Sequence, residues 1–174
     1  MRIVTLILVL SSLLLSAAIF GFFYAWVCST MWGLDAADPR VSIEAMQAMN
    51  ASVRNGVFAP AFFGTPLLLA LTAAILWSQR LRKSATLFAL SGTVYFCFAL
   101  ILTMAVNVPM NEALAAITVP TDIAAAEQVW QDYSPTWQFW NQVRTVTSGI
   151  SFIIATLGVL TLNLTTFAAK SPIG

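Results

Sequence analysis

The stretch WQFWNQVRTVTSGISFIIATLGVL, residues 137–160, carries a polar stripe straight into an apolar run. Trp137, Trp140, Asn141, Arg144, Ser148 and Ser151 recur at spacings of three and four, which a helix of about 3.6 residues per turn places on one face. The apolar run from about Val146 to Ala169 is long enough to cross ~30 Å of hydrocarbon. An arginine and an asparagine at the edge of that layer cost free energy unless they face water or protein. The stripe therefore predicts the wall of a site.

Working outward, three more stretches reach membrane-spanning length: Ile3 to about Ser29, Val57 to Ser78, and Ser84 to Val108. With 59% hydrophobic and 9% charged residues and a mean hydropathy of +0.84, the composition excludes an ordinary soluble domain. The expected fold is all-α, a four-helix transmembrane bundle forming one integral membrane domain over residues 1–174. No internal repeat or low-complexity tract interrupts it. Arg2 and the small residues Ser16, Ala17 and Ala18 resemble a cleavable leader. The apolar run continues through Phe20, Phe22, Phe23 and Trp26, so the segment reads as a retained helix.

Cations set the expected orientation. Arg2, Arg80, Arg82, Lys83 and Lys170 fall on one side, and Arg40, Arg54 and Arg144 on the other, which puts both termini in the cytoplasm. A multi-pass protein of the cytoplasmic membrane is expected. All seven carboxylates then lie outside, where acid–base chemistry is available.

Both outer connections are predicted to hold a short helix. After the break at Asp38-Pro39-Arg40, Ser42 is a candidate cap for a helix from about Ile43 to Arg54 with Glu44 in its first turn, ended by Asn55-Gly56. In the other connection, Thr121 and Asp122 start a helix to about Tyr133, and Ser134-Pro135 begins the fourth long helix. Counted from Pro135 to Ala169 that helix is ~50 Å long, so it must project, tilt or kink near Gly149. Pro60 and Pro66 are expected to bend the second span, and Pro109 the last turn of the third.

Asn50, Arg54, Asn107, Asn111, Asn141 and Arg144 are thus drawn to one membrane boundary. Amides also serve as interhelical glue, but the set with two arginines suits a binding site. Trp26, Trp32, Trp130, Trp137 and Trp140 lie near the outer side and only Trp77 near the inner, more than an interfacial belt requires. Flat rings beside a few fixed polar groups suit a planar, mostly apolar ligand. Trp130 reads better as core. Without histidine the chain lacks imidazole for a metal or for a triad. Four methionines at helical spacing read as packing, and the depths of Cys28 and Cys97 argue against a disulfide. Metal sites and cofactors are both expected to be none, and no basic surface suggests nucleic acid.

The Glu-Ala-Met-Gln-Ala-Met-Asn run at 44–50, Asn107-Val-Pro-Met-Asn111, and Trp137 with Trp140-Asn141 and Arg144 resemble the anthrone oxygenase-like family of small four-helix membrane proteins. The resemblance implies an oxygenase that converts an anthrone to an anthraquinone without metal or flavin. On that footing Trp137 and Trp140 would hold the ring, and Arg144, Asn141 and Asn107 would stabilise the oxyanion. Glu112, Asp132 or solvent would be the base, with Asn111, Asn50 and Arg54 completing the binding set. Glu112 is also the expected partner of Arg144. The competing expectation is a non-catalytic bundle whose polar cluster binds a membrane lipid or a partner protein. A homo-oligomer is compatible with either.

Overall fold

The computed structural model describes the backbone of residues 3–168 and side chains from 3 to 162. Arg2, Lys170 and the expected end of the fourth span at Ala169 lie outside the described residues. The chain is helical throughout: α1 (Ile3–Ala25), a π-helical segment (Trp26–Thr30), α2 (Met31–Asp35), α3 (Pro39–Ser52), α4 (Phe58–Ser78) and α5 (Arg82–Tyr95). Two further π segments (Phe96–Ile101 and Thr103–Asn107) lead to α6 (Val108–Ala115), and α7 (Ile123–Ala168) completes the order. Four of these continuous helices are long and apolar enough to span a membrane: Ile3–Asp35, Phe58–Ser78, Arg82–Ala115 and Ile123–Leu162. The chain is a multi-pass membrane protein.

The spans are apolar all round, so polarity and size select their buried faces. In α1 the buried residues are Thr5, Val9, Ser12, Ser16, Ile19 and Phe23, alternating four and three apart. That 3.5-residue seam is the signature of left-handed helix packing. Leu10, Leu14, Leu67, Ile153 and Leu160 point outward, as lipid-facing residues should. Across the seams small and hydroxylated residues meet. Ser91 and Ser151 exchange hydroxyl-to-carbonyl bonds of 2.8 and 2.9 Å, and Ser12 meets Thr72 at 2.9 Å. A Cβ on Gly158 would stand 2.9 Å from the Phe88 ring, and one on Gly149 3.0 Å from Phe20, so both glycines permit close helix approach.

The helices form a ring in which α1 packs on α4 and α7, and α5 on the same two. Gln79 donates to the Thr5 hydroxyl (2.7 Å), and Ser84 meets Thr161 (2.7 Å), so the Arg80–Lys83 turn shares one end, here the basic end, with the start of α1. At that turn Leu81 N–H bonds Leu76 O and Arg80 N–H bonds Trp77 O, a helix stop that forces Arg80 to a positive φ of 63°. The Arg82 guanidinium lies 3.7 Å over Trp77. The opposite, distal end carries α3 and α6.

Several boundaries differ from the sequence expectations. Asp38, not Ser42, caps α3 by accepting from Arg40 N–H, with Pro39 in the first turn; Ser42 lies inside the helix and its hydroxyl donates to Leu34 O. Glu44 is therefore beyond the first turn, and α3 stops at Ser52, short of Arg54. Asn55 ends α3 as expected, donating to Ser52 O at 2.6 Å, and also starts α4 by accepting from Val57 and Phe58 N–H. Pro60 falls in the first turn of α4, where a missing N–H is harmless, while Pro66 is interior. The carbonyl freed four residues before Pro66 belongs to Phe62, and it accepts from the Tyr95 hydroxyl at 3.0 Å. Asp122 caps α7 through Ala125 N–H as expected, yet the helix does not restart at Ser134-Pro135. Trp130, Ser134 and Gln138 all donate to the Asp35 carboxylate (2.7–2.9 Å), clamping the helix across the proline. Gln131, whose carbonyl Pro135 leaves without its helical donor, is exposed to water.

Candidate functional site

Towards the distal end the ring opens into a cavity of about 360 Å³. Its apolar walls come from Phe22, Phe23 and Trp26 of the first helix, Phe58, Phe62 and Phe63 of α4, and Met104 and Val108 of the third. Two of the π-helical segments, Trp26–Thr30 and Thr103–Asn107, border it. Such widened turns interrupt regular helix packing and recur at functional sites.

Arg144 sits on the inner wall with only 5% of its surface exposed. Its Nη2 donates to Asn141 Oδ1 at 2.9 Å and its Nη1 to the Thr103 hydroxyl at 3.3 Å, while Thr103 in turn donates to Ala99 O. The guanidinium lies 4.6 Å from the Phe23 ring centre and 5.3 Å from that of Trp137. Its Nε has no partner. Among the described residues the ion pairs are Arg40–Asp38 and Arg54–Glu112, so no carboxylate holds Arg144. Glu112 is not its partner. It bonds Arg54 at 3.2 Å instead, on the exposed rim between α3 and α6, about nine residues or ~13 Å along helix three from Thr103.

Polar order continues towards the rim. Asn111 Oδ1 accepts from the Tyr133 hydroxyl (2.9 Å) and from Trp137 Nε1 (2.8 Å). Both lone pairs are used, which fixes the amide and leaves Nδ2 as its free donor. Asn50 reaches the same Tyr133 oxygen at 3.5 Å. Gln47 caps α6 by donating to Leu114 and Ile117 carbonyls. Asn141 Nδ2 donates to Phe23 O at 3.2 Å, next to the π segment of helix one.

The expected residues divide accordingly. Arg144, Trp137, Asn111, Asn50, Arg54 and Glu112 line the cavity. Asn141 stands behind Arg144 and orients it. Asn107 is fully buried, with both amide atoms unpartnered, and is not part of the lining. Trp140 lies outside the cavity, edge-on to Phe139 at 5.2 Å. Asp132 is exposed, accepts from Gln128, and borders a separate shallow groove beside Tyr133. Trp130 belongs to the distal core, as its sequence context suggests. The phenylalanine walls, Thr103 and Tyr133 were not read as site residues; the four-residue spacing of Thr103, Asn107 and Asn111 is the signal that could have found Thr103.

The anthrone oxygenase family model matches residues 55–154, more than half of the chain. The chain belongs to the anthrone oxygenase family. The matched span contains the Asn107–Asn111 and Trp137–Arg144 elements and most of the cavity wall, while the 44–50 run lies before it. Among curated proteins and among solved structures, nothing is similar enough to match this family member.

Proposed function

We propose that the cavity binds a planar aromatic or quinone-like compound and oxidises it with O₂, as the family name suggests, without metal or flavin. The observation that carries this reading is Arg144: a buried guanidinium with a spare N–H, no carboxylate partner, and aromatic rings on two sides. Burying a cation costs several kcal/mol unless it is compensated, and an anionic ligand oxygen would supply that compensation. The volume falls within the range of small-molecule sites.

An anthrone ionises at carbon, and its enolate oxygen would rest on Arg144 while the rings stack against Phe23, Trp137 and Phe62. The enolate gives one electron to O₂, and recombination forms a carbon–oxygen bond. Loss of water then leaves a carbonyl where the CH₂ had been, one oxygen retained and the other released as water. Glu112, on the rim with Arg54 holding it in place, is the base this reading assigns, acting through water between it and the CH₂ because the ring sits deeper, on Arg144. Asn111 Nδ2 offers a second donor to a ligand oxygen. In this reading the distal end, with its few cations, faces the extracytoplasmic side of the cytoplasmic membrane, and both termini lie inside.

Incubating the purified protein with an anthrone under ¹⁸O₂ tests this. Anthraquinone carrying one ¹⁸O should form well above the spontaneous rate, and Arg144→Ala and Asn141→Ala should abolish turnover with the helical bundle intact. Loss of folding in proportion to lost turnover would make the stripe structural.

A further inference from the structure

Between α4 and the third long helix the bundle is sealed near the middle and parted above it. Phe62 packs on Tyr95 and Ala99, and the Tyr95 hydroxyl holds the Phe62 carbonyl. Beyond Ala99 the backbone of residues 103–115 diverges from that of α4. The cavity wall along this seam is Phe63 on one side and Met104 on the other, 47% and 46% exposed; Phe63 shares its helix face with the exposed Leu67 and Leu71, and Met104 lies one turn from the exposed Ile101, so both border the outer surface of the bundle. A residue that both lines a cavity and faces outward marks an opening.

Its depth follows from helix length. The 21 residues of α4 cover ~30 Å, about the hydrocarbon thickness, so with Ser78 at the basic boundary Phe58 stands at the distal one. Phe63 is then ~7 Å inside the hydrocarbon. The water-facing route differs in kind: there Asn50, Arg54 and Glu112 form a polar rim, and the Arg54–Glu112 pair spans it.

We infer that the seam between Phe63 and Met104 is a lateral doorway, through which an amphiphile dissolved in the distal leaflet reaches Arg144. This rests on the binding reading above and adds the source of the ligand. The occupant has an apolar body that is stable in hydrocarbon and one oxygen head, anionic or carbonyl, that exchanges the membrane surface for the guanidinium. A freely water-soluble anion lacks that body and would use the rim.

The test uses the full chain in phosphatidylcholine vesicles, with Cys28→Ser and Cys97→Ser removing the two exposed thiols. Ile101→Cys, exposed three residues before Met104 and outside the cavity lining, or Ala115→Cys, exposed beside Arg54 and Glu112 at the rim and also outside the lining, is then added and alkylated with N-cyclohexylmaleimide. The probe is an anthroyloxy fatty acid, whose arrival is followed by energy transfer from tryptophan. Alkylation of Ile101→Cys should slow arrival and departure together by tenfold or more while equilibrium binding stays within twofold. Alkylation of Ala115→Cys should change neither rate beyond twofold. The reverse pattern would place entry at the rim, and unchanged rates with both adducts would overturn the doorway. If the unmodified protein shows no transfer at all, the binding reading itself falls and the doorway with it.

Discussion

At the residue scale, single polar groups decide more here than hydrophobic bulk, because lipid is as apolar as the spans themselves. Tyr95 is the clearest case. Its hydroxyl replaces the bond that Pro66 removes, and without it a buried carbonyl is left unpaired. Tyr95→Phe should therefore lower unfolding stability in detergent by about 1–3 kcal/mol, measured by denaturant titration; an unchanged midpoint would show that another donor reaches Phe62. Pro66 was legible as a break, but its compensating hydroxyl, 29 residues away in sequence, was not. The same limit applies to Arg144. Its helical stripe indicated that it faces inward, and of the carboxylate or amides expected to hold it only the Asn141 amide does; Thr103 as partner and Glu112 bound elsewhere depend on how the third helix is rotated by its π turns.

At the scale of elements, close contact through glycine and hydrogen-bonded caps fix the geometry around the cavity. Gly158→Ala would press a methyl into the buried Phe88 ring and should cost about 1–3 kcal/mol. Gly21→Ala, with nothing within 4 Å, should be neutral or stabilising by up to about 1 kcal/mol. Equal effects of the two would contradict the packing of α5 on α7. In the first distal connection, the Arg40 side chain and its N–H hold the Asp38 carboxyl down to about 2, below its ordinary 3.8. Because the folded value is the lower one, the Asp38 contribution is complete above about pH 4 and is lost as pH falls towards 2. Protection of the α3 amides, taken relative to their intrinsic exchange rates at each pH, should fall over that window, and Asp38→Asn should remove the acid-dependent step. In sequence Asp38-Pro39 reads as a break and Ser42 as the cap, because both residue types cap helices and only the first-turn position of Pro39 separates them; the clamp of Asp35 across Pro135 has no local signal at all, since its three donors lie about a hundred residues away.

For the whole molecule, apolar length made the four spans legible, and in the ring each span packs against the spans next to it in sequence, the first closing on the fourth. Ser78→Cys and Ala125→Cys, each introduced alone into the thiol-free background, should label with an impermeant reagent from opposite sides of the membrane. Labelling from one side would overturn the arrangement. Less legible was the cavity, because its walls are phenylalanines that in sequence look like any lipid-facing residue. Its existence depends on helix three parting from α4 above Ala99. The central claim is that this space, with Arg144 at its inner end, exists to hold an aromatic ligand. Mass spectrometry of small molecules that co-purify with the protein and with Arg144→Gln tests it most directly. The account predicts a polycyclic phenol or quinone on the unsubstituted protein that is lost from the variant; phospholipid alone on both would contradict it.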